Sequence, residues 1–230
     1  MSSLIPPKDS FVPKAVIFDL DGTLVEFKFD VLASRRAMIN WLREEGFDVS
    51  SMNEKTRTLR IIEEAQNQWE AKGSSARDFE SIKNRLSDIL DGFEFDAFRE
   101  AKPHPGSLGL LRNLSDRRFL TAIVTNSGRK PVNSILDVFG FSKFIKFVIT
   151  RNEVSSLKPN PEGINKALLA LGVKAEEAIY VGDSTIDVEA ARASGVKSVA
   201  VTCGMYGPRM LVPSNPDYLA QNIEDVEGIF

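Results

Sequence analysis

Residues 15–24 read Ala15-Val16-Ile17-Phe18-Asp19-Leu20-Asp21-Gly22-Thr23-Leu24, and the reading of this stretch decides the fold. Four apolar residues run without a break into an acid. Such a run reads as a strand buried on both faces, the kind found inside a parallel sheet. In a strand, residues i and i+2 share a face, so Asp19 and Asp21 are expected to leave the sheet together, ahead of a turn at Gly22. Two like charges that close are costly unless a cation or a shared proton relieves them. An acidic pair at the end of a core strand is therefore a candidate for metal-assisted chemistry. A lone Asp-x-Asp would be read as a turn cap beside an exposed acid. Three further segments argue against that reading.

Working outward, the first strand is expected over residues 14–20, after a short tail at 1–13 that carries Pro6, Pro7 and Pro13. Residues 27–101 then turn charge-rich and helical in period. One helix is predicted over 30–45 with Met38, Trp41 and Leu42 inward. A second carries Leu59, Ile62, Ala65 and Trp69. A third carries Phe79, Ile82, Leu86, Ile89 and Phe93 as an amphipathic stripe. Beyond Pro103 and Pro105 the pattern alternates. Strands are predicted at 120–125, 147–150, 178–181 and 198–202, with helices at 107–114, up to 139, 162–171 and 186–194 between them. Alternation of this kind means a parallel sheet covered on both faces. The expected architecture is α/β: a three-layer, Rossmann-like parallel-sheet core over residues 1–26 and 102–230, with an all-helical cap domain inserted at 27–101.

Composition narrows the function classes. The 230 residues are 43% hydrophobic and carry a formal net charge of -3, enough for a core and without the basic footprint of a nucleic-acid or anionic-membrane binder. The longest apolar runs fall far short of a membrane span, and the first residues lack a signal-peptide core. Cys203 is the single cysteine, which rules out an intrachain disulfide or a cysteine-built metal site. A cytoplasmic location is expected, with a small molecule, rather than nucleic acid or membrane, as partner. Oligomeric state is left open.

In open parallel sheets, ligands sit beyond the carboxyl ends of the strands, and reading only those ends gives a short list. The first strand ends in Asp19-Leu20-Asp21, the second in Thr125-Asn126-Ser127-Gly128. The strand near Val181 ends in Gly182-Asp183-Ser184-Thr185-Ile186-Asp187, and Lys158-Pro159 lies in the loop after the third. Each alone has an ordinary explanation as a helix cap, a turn or a solvated charge. Their joint placement along one edge of one sheet does not.

Together these segments resemble the haloacid dehalogenase-like hydrolase superfamily, and within it the phosphoglycolate phosphatase-like branch. Asp19-Leu20-Asp21-Gly22-Thr23-Leu24 is similar to the first of its four motifs, Thr125-Asn126 to the second, Lys158-Pro159 to the third and Gly182 through Asp187 to the fourth. Pro105-Gly106 and the stretch Val188–Gly195 also fit the family pattern. The resemblance implies a phosphatase that works through an aspartyl-phosphate, with Asp19 as nucleophile and Asp21 as general acid and then general base. Thr125 hydroxyl, Asn126 N–H and Lys158 would hold the phosphate. The implied cofactor is Mg²⁺ on the Asp19 carboxylate, the Asp21 main-chain carbonyl and Asp183, with Asp187 orienting a bound water or Lys158. Charge supports this independently: Asp19, Asp183 and Asp187 outweigh Lys158 by two negative charges, and an all-oxygen site suits Mg²⁺. The cap is expected to close over the site and contact the substrate, with Arg35, Arg36, Trp69, Lys72 and Arg77 as binding candidates. The family's dehalogenases lack the second acid of motif one, so Asp21 favours phosphoryl transfer over carbon–halogen chemistry.

The substrate class that follows is a small phosphorylated metabolite, phosphoglycolate first. Val25-Glu26-Phe27 departs from the Asp-Ser that commonly follows Leu24 in phosphoglycolate phosphatases. Two alternatives stay open: a sugar phosphomutase of the β-phosphoglucomutase type, which shares these motifs, and a catalytically silent phosphate-binding or regulatory protein. His104, the single histidine, sits between two prolines and is read as a loop side chain rather than a base. Cys203 is assigned no redox role.

Overall fold

A computed structural model of the chain describes residues 13–73 and 76–229. The expected tail at 1–13, Pro13 excepted, lies outside the described residues, as does the side chain of Arg77. Two compact units emerge, one built from residues 13–27 and 101–229, the other from Lys28–Glu100.

The first unit is a Rossmann-like α/β domain. Its elements are β1 (Ala15–Phe18), β2 (Val25–Glu26), β3 (Lys102–Pro103), α4 (Ser107–Asp116), β4 (Leu120–Val124), α5 (Arg129–Val138), β5 (Phe147–Ile149), α6 (Glu162–Leu171), β6 (Ala178–Gly182), α7 (Thr185–Ala193), β7 (Lys197–Val201), α8 (Pro208–Leu211) and β8 (Tyr218–Ala220). The helices α1 to α3 belong to the second unit. Six strands form one sheet in the order β5-β4-β1-β6-β7-β8, every pair parallel. Both faces of β1 are buried. Ala15 and Ile17 pack with residues of α6 and α7, including Ile164, Leu168 and Ala190, while Val16 and Phe18 are equally inaccessible on the other face. This is why the strand reads as a continuous apolar run rather than an alternating one.

The chain passes from β1 outward to β4 and β5, then returns to the other side of β1 for β6, β7 and β8. The order therefore reverses at β1, and a crevice opens there beyond the carboxyl ends of β4, β1 and β6. Asp19 is the first residue past β1, and its N–H donates to the Val181 carbonyl at 2.8 Å, which holds it against the end of β6. Sequence patterning misses β8 and the two-residue antiparallel ribbon β2–β3. A ribbon of two residues has no period to detect, and β8 at Tyr218-Leu219-Ala220 is too short to separate from a loop.

The second unit holds three helices, α1 (Val31–Glu44), α2 (Thr58–Ala71) and α3 (Ala76–Phe98). Asp30 caps α1, accepting from the Ala33 N–H at 2.8 Å. Its core gathers Met38, Leu42, Ile61, Ala65, Phe79, Ile82, Leu86 and Leu90. Two expectations shift by a residue. Ile61 is buried more deeply than Ile62, and Leu90 rather than Ile89 continues the α3 stripe, with Phe93 half-buried. Trp69 stacks on Phe47 with ring centroids 6.2 Å apart, and the Lys72 ammonium sits 5.5 Å from the centre of the same ring. Arg35 donates to Thr58 Oγ1 at 3.3 Å and to the Glu54 carbonyl at 3.4 Å. Three of the side chains expected to contact substrate thus have packing or bracing roles inside their own unit, whereas Arg36 is exposed.

Candidate active site

The sequence-predicted residues converge at the carboxyl ends of β4, β1 and β6. Strand alternation does not govern the Asp19–Asp21 pair, because β1 stops at Phe18. Past it the chain winds into a tight turn in which Leu24 and Val25 N–H both donate to the Leu20 carbonyl, and Gly22 N–H to that of Val25. Gly22 has φ +87°, and a Cβ there would collide with the Asp183 carboxylate, so glycine is needed for conformation and for space. The turn sends the two acids into different environments.

Asp19 enters a buried ion network. Lys158 Nζ donates to Asp19 Oδ1 at 2.7 Å, to Asp187 Oδ1 at 2.7 Å and to the Tyr180 hydroxyl at 2.9 Å. Burial alone would lower the Lys158 pKa, but Asp187 and Asp19 outweigh it and hold the group well above the ordinary lysine value, so the ammonium is permanent at neutral pH. Burial pushes the Asp19 carboxyl well up. Lys158 pulls it down, while Asp187, Asp21 and Asp183 add to the push.

Asp21 faces two hydroxyls instead. Ser127 Oγ donates to Asp21 Oδ2 at 2.5 Å and Thr125 Oγ1 to the same oxygen at 3.1 Å. Asp21 Oδ1 is buried and has no partner among the described residues. Burial raises the Asp21 pKa, against the lowering effect of those two hydroxyls and of the Lys158 and Arg151 charges.

Asp183 follows β6 directly and is 2% exposed. The Met205 N–H donates to its Oδ2 at 2.6 Å. Burial, reinforced by the charge of Asp187, lifts its pKa to about 7. Asp187 is the third residue of α7 and closes a capping box with Ser184, accepting from the Ser184 N–H at 3.1 Å and from its hydroxyl. Its Oδ1 accepts from Lys158 at 2.7 Å and lies 3.2 Å from the Tyr180 hydroxyl. Both oxygens of Asp187 are thus occupied by protein donors, which leaves Asp19 and Asp183, of these three acids, with an oxygen to offer a ligand.

A divalent cation fits here. One carboxylate oxygen from each of Asp19, Asp183 and Asp187 lies within 4.8 Å of the others, and all three residues are buried. Lys158 neutralises one of three carboxylates, and the elevated Asp183 pKa marks the charge that remains uncompensated. An all-oxygen set of few ligands is the chemistry of Mg²⁺-type sites.

Asn126 has a part that the sequence did not disclose. Its side chain clasps the Lys158 backbone, with Nδ2 donating to the Lys158 carbonyl at 3.2 Å and Oδ1 accepting from the Lys158 N–H at 3.0 Å. The residue expected to bind phosphate through its main chain also fixes the lysine loop through its side chain. Ser127, Tyr180 and the Met205 N–H were missed. Ser127 was visible only as part of a turn sequence, and Tyr180 reads as one more strand residue. His104 is buried, its N–H donates to the Leu24 carbonyl at 3.0 Å, and its imidazole bonds the Gly22 backbone. It braces the turn after β1, and its burial lowers its pKa. Burial raises the Cys203 thiol pKa, in keeping with an unreactive role.

A family model described as haloacid dehalogenase-like hydrolase matches residues 16–201. The chain is 31% identical over 201 residues to a phosphoglycolate phosphatase of Rhodospirillum rubrum, covering 84% of this chain and 81% of that one. It is 30% identical over 224 residues to pyrophosphatase PpaX of Anoxybacillus flavithermus, covering 93% and 95%. Among solved structures, it is similar to a HAD-superfamily hydrolase of subfamily IA from Geobacter sulfurreducens, with TM-score 0.60 and 22% identity over 95% of this chain and all of that one.

Proposed function

We propose that this chain, which belongs to the haloacid dehalogenase-like hydrolase family, is a phosphatase that cleaves a small-molecule phosphate monoester through an aspartyl-phosphate on Asp19. The observation that carries the reading is the division of labour between two acids two residues apart. Asp19 is tied to Lys158, whereas Asp21 is held by neutral hydroxyls with one oxygen open.

A carboxylate needs no base to become a nucleophile. Asp19 attacks the phosphorus, and the P–O bond to the leaving group breaks. Asp21 supplies the proton that the leaving oxygen needs, from the oxygen that Thr125 and Ser127 do not hold. It then takes a proton from the water that attacks the aspartyl-phosphate, and free Asp19 and inorganic phosphate result. Its raised pKa suits both tasks. Asn126 N–H contributes to the phosphate cradle, Thr125 hydroxyl joins it by turning its one proton from Asp21 to the phosphate, and Lys158 offsets negative charge at Asp19. Mg²⁺, held by the Asp19 and Asp183 carboxylates and the Asp21 main-chain carbonyl, would supply the positive charge that lets two anions meet.

Relatives named phosphoglycolate phosphatase make phosphoglycolate the first substrate to try, and the pyrophosphatase relative adds inorganic pyrophosphate. The test is a panel of phosphate esters and pyrophosphate, with Mg²⁺ or with chelator, on wild type and Asp19→Asn. Phosphate release that needs Mg²⁺ and is lost in Asp19→Asn is the expected result. Isomerised sugar phosphate in place of free phosphate would turn the reading to a mutase. Undiminished turnover by Asp19→Asn would remove the nucleophile.

A further inference from the structure

We propose that Tyr180 is a positioning residue of this site, its hydroxyl taking the third proton of the Lys158 ammonium and giving its own to the Val124 carbonyl. The proposal rests on the reading of Asp19 and Lys158 given above.

An ammonium has three protons to donate. Two go to Asp19 and Asp187 at 2.7 Å each, and the third meets Tyr180 at 2.9 Å. Lys158 is 6% exposed and Tyr180 1%, so water is a poor substitute for any of these partners. The phenol has a single proton of its own. The Val124 carbonyl lies 2.9 Å away and Asp187 Oδ1 3.2 Å. The carbonyl is the nearer acceptor, and Asp187 Oδ1 already accepts from Lys158, so the phenol proton goes to the carbonyl and the phenol oxygen stays free to receive Lys158. That carbonyl belongs to the peptide whose N–H is on Thr125, and this N–H donates to the Ile149 carbonyl at 3.0 Å. One hydroxyl therefore fastens Lys158 to the end of β4, where the phosphate-binding segment begins.

Two consequences follow. Lys158 keeps no proton for a substrate oxygen while Tyr180 is in place, so its charge works chiefly by fixing Asp19 Oδ1 and leaving Oδ2 to react. A phenylalanine at position 180 would fill the same space, for Tyr180 packs in the apolar layer with Ile17, Val124 and Ile164. It would, however, strand one ammonium proton and one carbonyl inside the protein.

For Tyr180→Phe, kcat is expected to fall about 10- to 100-fold with KM changed less than about threefold. In a cycle with Lys158→Met, the tyrosine substitution should cost less than about twofold more, because the group it positions is already gone. A purely structural role would give the same further loss in both backgrounds and would overturn the proposal. A second readout needs no substrate. In protein labelled with ¹⁵N-lysine, the Lys158 ammonium should give a resonance protected from water exchange, identified by its loss in Lys158→Met, and Tyr180→Phe should broaden it. A resonance unchanged in Tyr180→Phe would overturn the proposal. Should that variant not fold, the wild type decides: the ammonium protons should show a nuclear Overhauser contact with the Tyr180 ring, and no protected signal would refute the network. Because this signal is read without turnover, loss of the phosphatase reading and loss of the Tyr180 proposal remain distinguishable.

Discussion

Replacing Asp183 by asparagine is expected to stabilise the metal-free protein at pH 8 and to remove most of its stabilisation by Mg²⁺. Asp183 is 2% exposed beside Asp187. Its pKa is lifted from the 3.8 of an exposed aspartate to about 7 by burial and by that neighbour. At 1.36 kcal/mol per pKa unit, ionising it in the folded protein costs up to about 4 kcal/mol more than in the unfolded chain. The folded state holds the proton more tightly, so this stability is fully present below about pH 4 and is lost as pH rises through about 7. Asparagine keeps an acceptor for the Met205 N–H, which now reaches Asp183 Oδ2, and carries no charge to desolvate. In chelator at pH 8 the variant should melt higher than wild type, by up to roughly 8–16 °C at 2–4 °C per kcal/mol. At pH 4 the two should differ little. With Mg²⁺ at about a hundred times its dissociation constant the wild type should gain about 2.7 kcal/mol and the variant much less. The assay is a thermal melt at pH 4, 6 and 8, in chelator and in Mg²⁺. A variant that melts at or below the wild-type midpoint at pH 8 in chelator would show that Asp183 is not an uncompensated buried anion.

Asp21→Asn should slow breakdown of the aspartyl-phosphate about 10²- to 10⁴-fold, so that acid-quenched protein retains labelled phosphate; normal turnover would refute the acid–base role. Ser127→Ala removes a hydroxyl that lowers the Asp21 pKa, so the alkaline limb of the kcat/KM profile, where Asp21 loses the proton it must give, should move to higher pH, and an unmoved limb would detach Ser127 from catalysis. Leu86→Ala, at a position with no exposure in the helical unit, should cost about 2–5 kcal/mol in urea unfolding; a loss under 1 kcal/mol would contradict tight packing there.

The α/β class was legible because a strand buried on both faces is largely apolar: β1 is apolar throughout, and β4 and β7 break the run only at Thr121 and at Lys197 and Ser198. The helices of the second unit showed in their period, although the phase slipped where neighbouring apolar residues competed, as at Ile61 and Ile62. The polar residues at the strand ends could be found because the topology confines ligands to one edge. Tyr180 could not be found that way, since a phenol ring buries like any aromatic and only its partners reveal the hydroxyl's use. Nor could the divergence of Asp19 and Asp21, which depends on where hydrogen bonding stops β1 and begins the turn.

By itself, the sequence determined which residues can do chemistry here and in what order they reach the sheet edge, because apolar runs and the polar groups that end them are local properties of the chain. Only the tertiary structure decided how the charges pair. Lys158 and Asp19 stand 139 positions apart, and Lys158 and Asp187 29 apart. Their bonds exist because β1 and β6 are adjacent in a parallel sheet. Burial there removes the water that would otherwise separate them, so the fate of each acid is set by which neighbours the fold provides.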